Sequence, residues 1–202
     1  MKKMLLLLFG LLMLINQILS QEQNKFPLLF SVTNNASLMP GHGYLGFTVP
    51  VHPGLSAGTQ LVWKDWENWI MAESFRIGGF YHKYSELAFE LYSELIFGWK
   101  PGAFGIEPQI QAGYMMAFPD LQVFELQGDT YEEKSFKGRS QFFGGAGLGI
   151  SYTFDHESDH PVKLSLAYLV NLQMPFIKNY APVLIISSLQ LGVMFYIPHK
   201  PK

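Results

Sequence analysis

A chain of 202 residues with a net charge of −2 and no cysteine suits one domain and excludes disulfides, thiolate metal sites and a lipid-modified cysteine anchor. Residues 1–20 hold two of the 14 basic residues and none of the 16 acidic ones, which leaves the rest mildly acidic, about −4, and excludes nucleic acid as a partner. Aromatic and charged residues each make up 15% of the chain, too few charges for the lysine- and glutamate-rich surface of a solvated protein.

Lys2 and Lys3 precede an apolar run from Met4 to Ile15 and a polar exit from Asn16 to Ser20, the pattern of a secretory signal peptide over residues 1–20. The run falls short of the ~20 residues that a membrane helix needs. An exported chain of about 180 residues without disulfides must be stabilised by ordinary burial, by a metal or by a membrane.

Residues 21–53 read as an N-terminal extension. Phe26–Thr33 and Gly43–Val49 have short strand patterns broken by Pro40 and Pro50, so this stretch is expected to stand apart as a tail, a lumen plug or a docking segment. His42 and His52 sit in glycine- and proline-flanked turns and are read as turn residues rather than metal ligands.

Beyond residue 53, period-two alternation predicts eight strands: Leu55–Trp63, Trp69–His82, Ser85–Trp99, Ala103–Ala117, Leu121–Gln127, Gly138–Phe154, Val162–Gln173 and Leu184–Ile197. Turn chemistry separates them, as at Lys64-Asp65, Lys100-Pro101-Gly102, Pro119-Asp120 and Gly128-Asp129. No helix is needed after the leader. In the third strand Leu87, Phe89, Leu91, Ser93, Leu95, Phe97 and Trp99 form one face, while Glu86, Ala88, Glu90, Tyr92 and Glu94 form the other. The sixth sets Phe142, Ala146, Leu148, Ile150, Tyr152 and Phe154 against Arg139, Gln141, Gly145, Gly147, Gly149 and Ser151.

The polar faces carry Gln, Tyr, Gly and Ser with isolated Glu and Arg, which suits a narrow lumen better than a water-exposed surface. Gly78, Gly79, Gly113, Gly145, Gly147 and Gly149 would make room for large side chains from opposite strands, because an eight-stranded barrel is just wide enough to be filled by side chains. The expected fold is therefore all-β: an eight-stranded antiparallel up-and-down transmembrane β-barrel over residues 54–198, with a short N-terminal periplasmic extension and a C-terminal tail at 199–202.

In that orientation Glu90, Glu94, Glu107 and Glu125 project inward together with Arg76, Arg139 and Lys163. The cost of burying unpaired charge predicts a paired lumen network, with Arg76 against Glu90 and Glu94. Trp63, Trp66, Trp69, Trp99, Tyr152 and Phe154 lie near strand ends, as aromatic girdles at two water–lipid boundaries require. Both termini then face the periplasm. Lys64–Asn68, Lys100–Gly102, Gly128–Lys137 and Met174–Val183 are expected outside, and His82–Glu86, Phe118–Asp120 and Asp155–Pro161 inside. The acids and histidines of residues 155–160 match no standard metal spacing and read as a solvated turn, and no cofactor site stands out.

The last strand, with Gln190, Gly192, Phe195 and Ile197, is similar to the assembly signal of outer-membrane barrels, although it is followed by Pro198-His199-Lys200-Pro201-Lys202 instead of ending on an aromatic residue. The whole resembles the small eight-stranded outer-membrane proteins of the OmpA-transmembrane and OmpX kind, and looks like small barrels of Bacteroidota-type bacteria. The resemblance implies an outer-membrane location, contact with membrane lipid and lipopolysaccharide, and insertion by the barrel-assembly machinery; it brings no settled activity.

Lipid A-modifying barrels are similar in size and strand number. A deacylase needs Ser, His and an acid on the outer wall, yet Ser93 and Ser140 have no histidine on a nearby strand; an acyltransferase needs an inner hydrocarbon pocket, yet this lumen holds Glu, Gln and Arg. No catalytic residue is assigned. The expected function is a non-catalytic structural or accessory subunit of a larger outer-membrane complex, such as a TonB-dependent transporter or an assembly machine. A lipid A-modifying enzyme of deacylase or acyltransferase type is the alternative, and a conducting pore a weaker third.

Overall fold

Side-chain alternation governs the barrel strands: the computed structural model describes residues 25–37, 51–83, 85–120, 124–128, 130–133, 138–155, 161–176 and 181–198, and these hold ten strands and no helix. The strands are β1 (Lys25–Ser37), β2 (Pro53–Asp65), β3 (Trp69–His82), β4 (Glu86–Trp99), β5 (Phe104–Pro119), β6 (Phe124–Gln127), β7 (Thr130–Glu133), β8 (Arg139–Phe154), β9 (Val162–Met174) and β10 (Leu184–Pro198). Eight close into a barrel in the order β1-β10-β9-β8-β5-β4-β3-β2, with β6 and β7 paired separately. Every pairing is antiparallel. Closure leaves no exposed strand edge, the condition that lets a sheet cross hydrocarbon.

The expected strand number holds, but its membership changes in two places. Residues 21–53 are not all an extension: β1 lies within them and closes the barrel, pairing with β10 from Lys25↔Pro198 to Ser37↔Ile186 and with β2 from Leu29↔Gly58 to Asn34↔Pro53. The barrel thus begins at residue 25 and not 54. Leu121–Gln127, conversely, contributes no barrel strand. A segment of that length is shorter than the ~9–11 residues a tilted spanning strand needs, and the Gly128 turn folds β6 back onto β7, Gln127 opposite Thr130. The long strands β5 and β8 pair with each other instead, from Phe104↔Tyr152 to Ala117↔Arg139.

These two changes alter which turns share an end of the barrel. Adding β1 moves the turns at Lys64–Asn68 and Lys100–Gly102 to the end that holds both termini, and moves His82–Glu86 and Phe118–Asp120 to the other. Removing Leu121–Gln127 restores the parity, so Gly128–Lys137, Asp155–Pro161 and Met174–Val183 keep their expected ends. The leader at 1–20, the tail at 199–202, Gly43–Val49, His42, His156 and His160 lie outside the described residues.

The two faces have opposite chemistry. Outward side chains include Leu55, Ile77, Leu91 and Phe142, each more than 60% exposed, while the buried set is rich in Ser, Asn, Gln, Glu and Arg. An apolar cluster of Phe80, Ala88, Tyr92, Met115, Phe143 and Ile186, with Phe176 against it, fills the lumen toward the end opposite the termini.

Candidate functional site

Three ion pairs cross the lumen. Arg76 of β3 sets its Nε 3.3 Å from Glu94 Oε2 on β4, and also donates to Ser31 Oγ at 2.9 Å and Ser74 Oγ at 3.2 Å. Both partners are nearly fully buried, at 5% and 1% exposure. Lys163 of β9 reaches Glu107 of β5 at 2.5 Å, where Ser151 Oγ also donates at 2.8 Å. Arg139 of β8 reaches Glu86 of β4 at 3.2 Å and donates to the carbonyl of Phe176 at 2.9 Å. Gln173 Nε2 lies 2.5 Å from Glu86 Oε1 and 2.6 Å from Gln141 Oε1, which extends this network along the end opposite the termini.

The expected lumen set is therefore only partly brought together. Arg76, Glu94, Glu107, Arg139 and Lys163 are joined as described, and Glu86 completes the Arg139 pair that the sequence reading left without an acid. Arg76 does not pair with Glu90. Its backbone neighbour is Tyr92, midway between Glu90 and Glu94, and its Nε donates to Ser74, the residue opposite Glu94 in the β3–β4 register. Glu90 instead borders a small cavity of about 30 Å³ with Tyr92, Gln111, Asn171 and Ser188. Glu125 lies on β6, outside the barrel sheet, and so is not on a lumen strand.

Space for these side chains comes from glycine. A Cβ on Gly113 would sit 2.4 Å from Tyr92 Cβ and 2.9 Å from Phe143 Cε1, and on Gly145 2.0 Å from Asn171 Oδ1. The lumen is open at the terminus end, where a chamber of about 720 Å³ is lined by Val62, Lys64, Lys100, Phe104, Glu107 and Tyr196. Between this chamber and the apolar cluster lie narrow voids of about 20 Å³ beside Arg76 and Lys163 and about 30 Å³ beside Glu90 and Tyr92.

Two further features escape the sequence reading. His52 and His82 stack with ring centroids 3.7 Å apart, and His52 Nδ1 lies 3.0 Å from the carbonyl oxygen of Asn35. The β2–β3 register, extended past Gly54↔Phe80, would have placed the two rings opposite each other. The second is the position of the aromatic residues. Trp63, Trp66, Trp69, Trp99, Tyr152 and Phe154 all lie at the terminus end rather than at two boundaries. Trp63 is the extra residue of a β-bulge between Val62 and Lys64. Tyr81, Phe118 and Phe142 occupy the opposite end, where the Tyr81 hydroxyl donates to the Asp120 carboxylate at 3.1 Å. On β10, Gln190 is buried in the lumen beside β1, while Phe195 stacks on Phe30 across the closing seam at 5.8 Å and Ile197 is exposed.

Closure, inverted faces and aromatic residues at both rims form one consistent arrangement. The crystal structure of Neisserial surface protein A overlays this chain with a TM-score of 0.54 at 13% identity, covering 84% of this chain and 95% of that one. This is the fold of the small eight-stranded outer-membrane β-barrels. Ail of Yersinia pestis (12% identity, 86% of this chain and 98% of that one, TM-score 0.43) and the N-terminal barrel domain of Pseudomonas aeruginosa OprF (16%, 85% and 97%, 0.41) are more distant matches. No protein-family model matches the sequence, and no curated protein matches it. The outer-membrane barrel's turns at 66–68, 100–103 and 155–161 share the end with the termini, whereas the turn at 83–85 and the three longest connections, at 38–52, 120–138 and 175–183, share the other. Short turns face the periplasm and long loops the exterior in such proteins, so the chamber opens to the periplasm and the apolar cluster lies toward the outside.

Proposed function

We propose that this outer-membrane barrel is a non-catalytic accessory subunit of a larger outer-membrane complex, such as a TonB-dependent transporter or an assembly machine. The observation that carries this reading is the sealed lumen: three ion pairs and an apolar cluster fill the space a transported solute would use. The wall offers no hydrolytic constellation among the described residues. Ser93 Oγ donates to Glu73 Oε1, Ser140 Oγ bonds the Tyr114 hydroxyl at 2.6 Å, and the described histidines His52 and His82 stack on each other instead of approaching either serine. What remains for function is the outer surface and the periplasmic mouth.

The test is purification of the full chain from native outer membranes in mild detergent, followed by mass spectrometry. Recovery of one integral outer-membrane partner in fixed proportion supports the reading. A changed lipid A mass profile on deletion, restored by the wild-type chain, would replace it with the lipid A-modifying alternative.

A further inference from the structure

Glu73 lies on the outer face of β3, between Met71 and Phe75 in the outward alternation. Four residues separate it from Trp69 at the periplasmic rim, which at ~3.3 Å per residue and a tilt near 45° places it roughly 10 Å inside an apolar band ~25 Å tall. Ser93, at the middle of β4, donates its hydroxyl to Glu73 Oε1 at 2.5 Å. The other outward positions of β4 are Leu87, Phe89, Leu91, Leu95, Phe97 and Trp99. A carboxylate is thus set in the lipid-facing wall, with the Ser93 hydroxyl as its hydrogen-bond donor among the described residues. Hydrocarbon supplies no donor, and an ionisable group held at this depth marks contact with a complementary polar group.

The wall beside it is shaped for close approach. Register brings Phe75, Ser93, Ala112 and Gly144 to one level across β3, β4, β5 and β8. From Phe75 the surface therefore steps down to serine, alanine and glycine, with Leu91 and Tyr114 on one side and Leu95 and Ile110 on the other. Small residues at a membrane interface let a second backbone pack tightly. The barrel's own interior does not explain the carboxylate, because Arg76 and Glu94 pair on the opposite face of the same two strands.

We propose that the β3–β4–β5 wall docks against a second outer-membrane barrel that presents an arginine or lysine to Glu73 at the same depth. The inference rests on the accessory-subunit reading and names the face that reading would use.

A photo-crosslinking residue at Leu91 or Leu95 tests the proposed face, and at Leu164 or Leu191 the opposite wall, in the full chain in native outer membranes. The expected result is an adduct from Leu91 and Leu95 with one integral barrel protein, mapping beside a lipid-facing basic residue, and none from Leu164 or Leu191. Glu73→Leu should reduce the adduct at least tenfold while the barrel still folds, and Glu73→Gln, which keeps the bond to Ser93, should weaken it severalfold. Glu73→Arg combined with an acidic replacement of the partner's basic residue should restore it. Adducts with lipid alone, with a second copy alone, or with a protein partner indifferent to Glu73→Leu would overturn the proposal. A complex that crosslinks only through Leu164 or Leu191 would overturn this face and leave the accessory reading standing; no complex at all would overturn both.

Discussion

Arg76 and Glu94 are nearly inaccessible to solvent, and each depends on the other for compensation. Removing one member of a buried pair strands a charge, at a cost of about 3–5 kcal/mol, whereas replacing both with apolar groups of similar volume is often neutral. Urea unfolding in lipid vesicles should therefore show Arg76→Met and Glu94→Leu each destabilised by roughly 3–5 kcal/mol, with the double variant recovering most of the loss. Ser31 and Ser74 lose their guanidinium donor in the Arg76 variants, which sets a ceiling on that recovery. Glycine supplies a second contrast at the residue scale. A Cβ at Gly113 meets Tyr92, Phe143 and the Leu91 carbonyl inside 3 Å, while at Gly144 its nearest neighbour is 3.6 Å away. Gly113→Val should cost about 1–3 kcal/mol through overpacking, and Gly144→Ala should be tolerated by the same unfolding measurement.

At the scale of the strand, what a segment pairs with matters more than its pattern. β1 satisfies one edge of β10 along its length and one edge of β2, so deleting residues 25–37 leaves two edges open in hydrocarbon. That deletion should abolish the heat-modifiable folded band on gels, whereas replacing residues 124–133 by a short linker should preserve it, because β6 and β7 pair with each other outside the barrel sheet. The same distinction explains what could be read from the sequence. Alternation exposed β2, β3, β4, β5, β8, β9 and β10, with strand ends within a few residues of those observed. Phe26–Thr33 carries a legible strand pattern, but Asn34-Asn35, which resembles a turn although both residues lie within the strand, and Pro40 and Pro50 set it apart from the barrel. Leu121–Gln127 alternates well enough to mislead, yet its length was the available warning. In the lumen, the residue types were legible from the inward alternation, but the choice of Glu94 over Glu90 was not. It depends on the β3–β4 register, which sets Ser74, the acceptor of Arg76 Nε, opposite Glu94.

At the scale of the whole molecule, one added strand and one removed strand decide which loops meet the outside. The absence of cysteine from the chain makes single introduced thiols unambiguous reporters. An impermeant maleimide should label Thr130→Cys, on the hairpin, in intact cells, and Glu67→Cys, in a turn at the terminus end, only after the outer membrane is permeabilised. Labelling of Glu67→Cys in intact cells would invert the barrel and put its 720 Å³ chamber outside. The chamber bears on conduction as well. It is wide at the periplasmic mouth, but the voids narrow to about 20 Å³ at the Arg76 and Lys163 layer and about 30 Å³ beside Glu90, before the apolar cluster at Phe80, Met115 and Phe143. Polar chambers admit water, whereas an ion entering the apolar cluster would lose much of its hydration. Purified barrel in a planar bilayer should therefore carry no large steady current. Shortening the cluster with Phe80→Ala and Phe143→Ala should raise conductance more than neutralising Lys163 does, because the cluster, and not the ion-pair layer alone, closes the path; large steady currents from the wild-type chain would refute the sealed lumen on which the accessory reading depends.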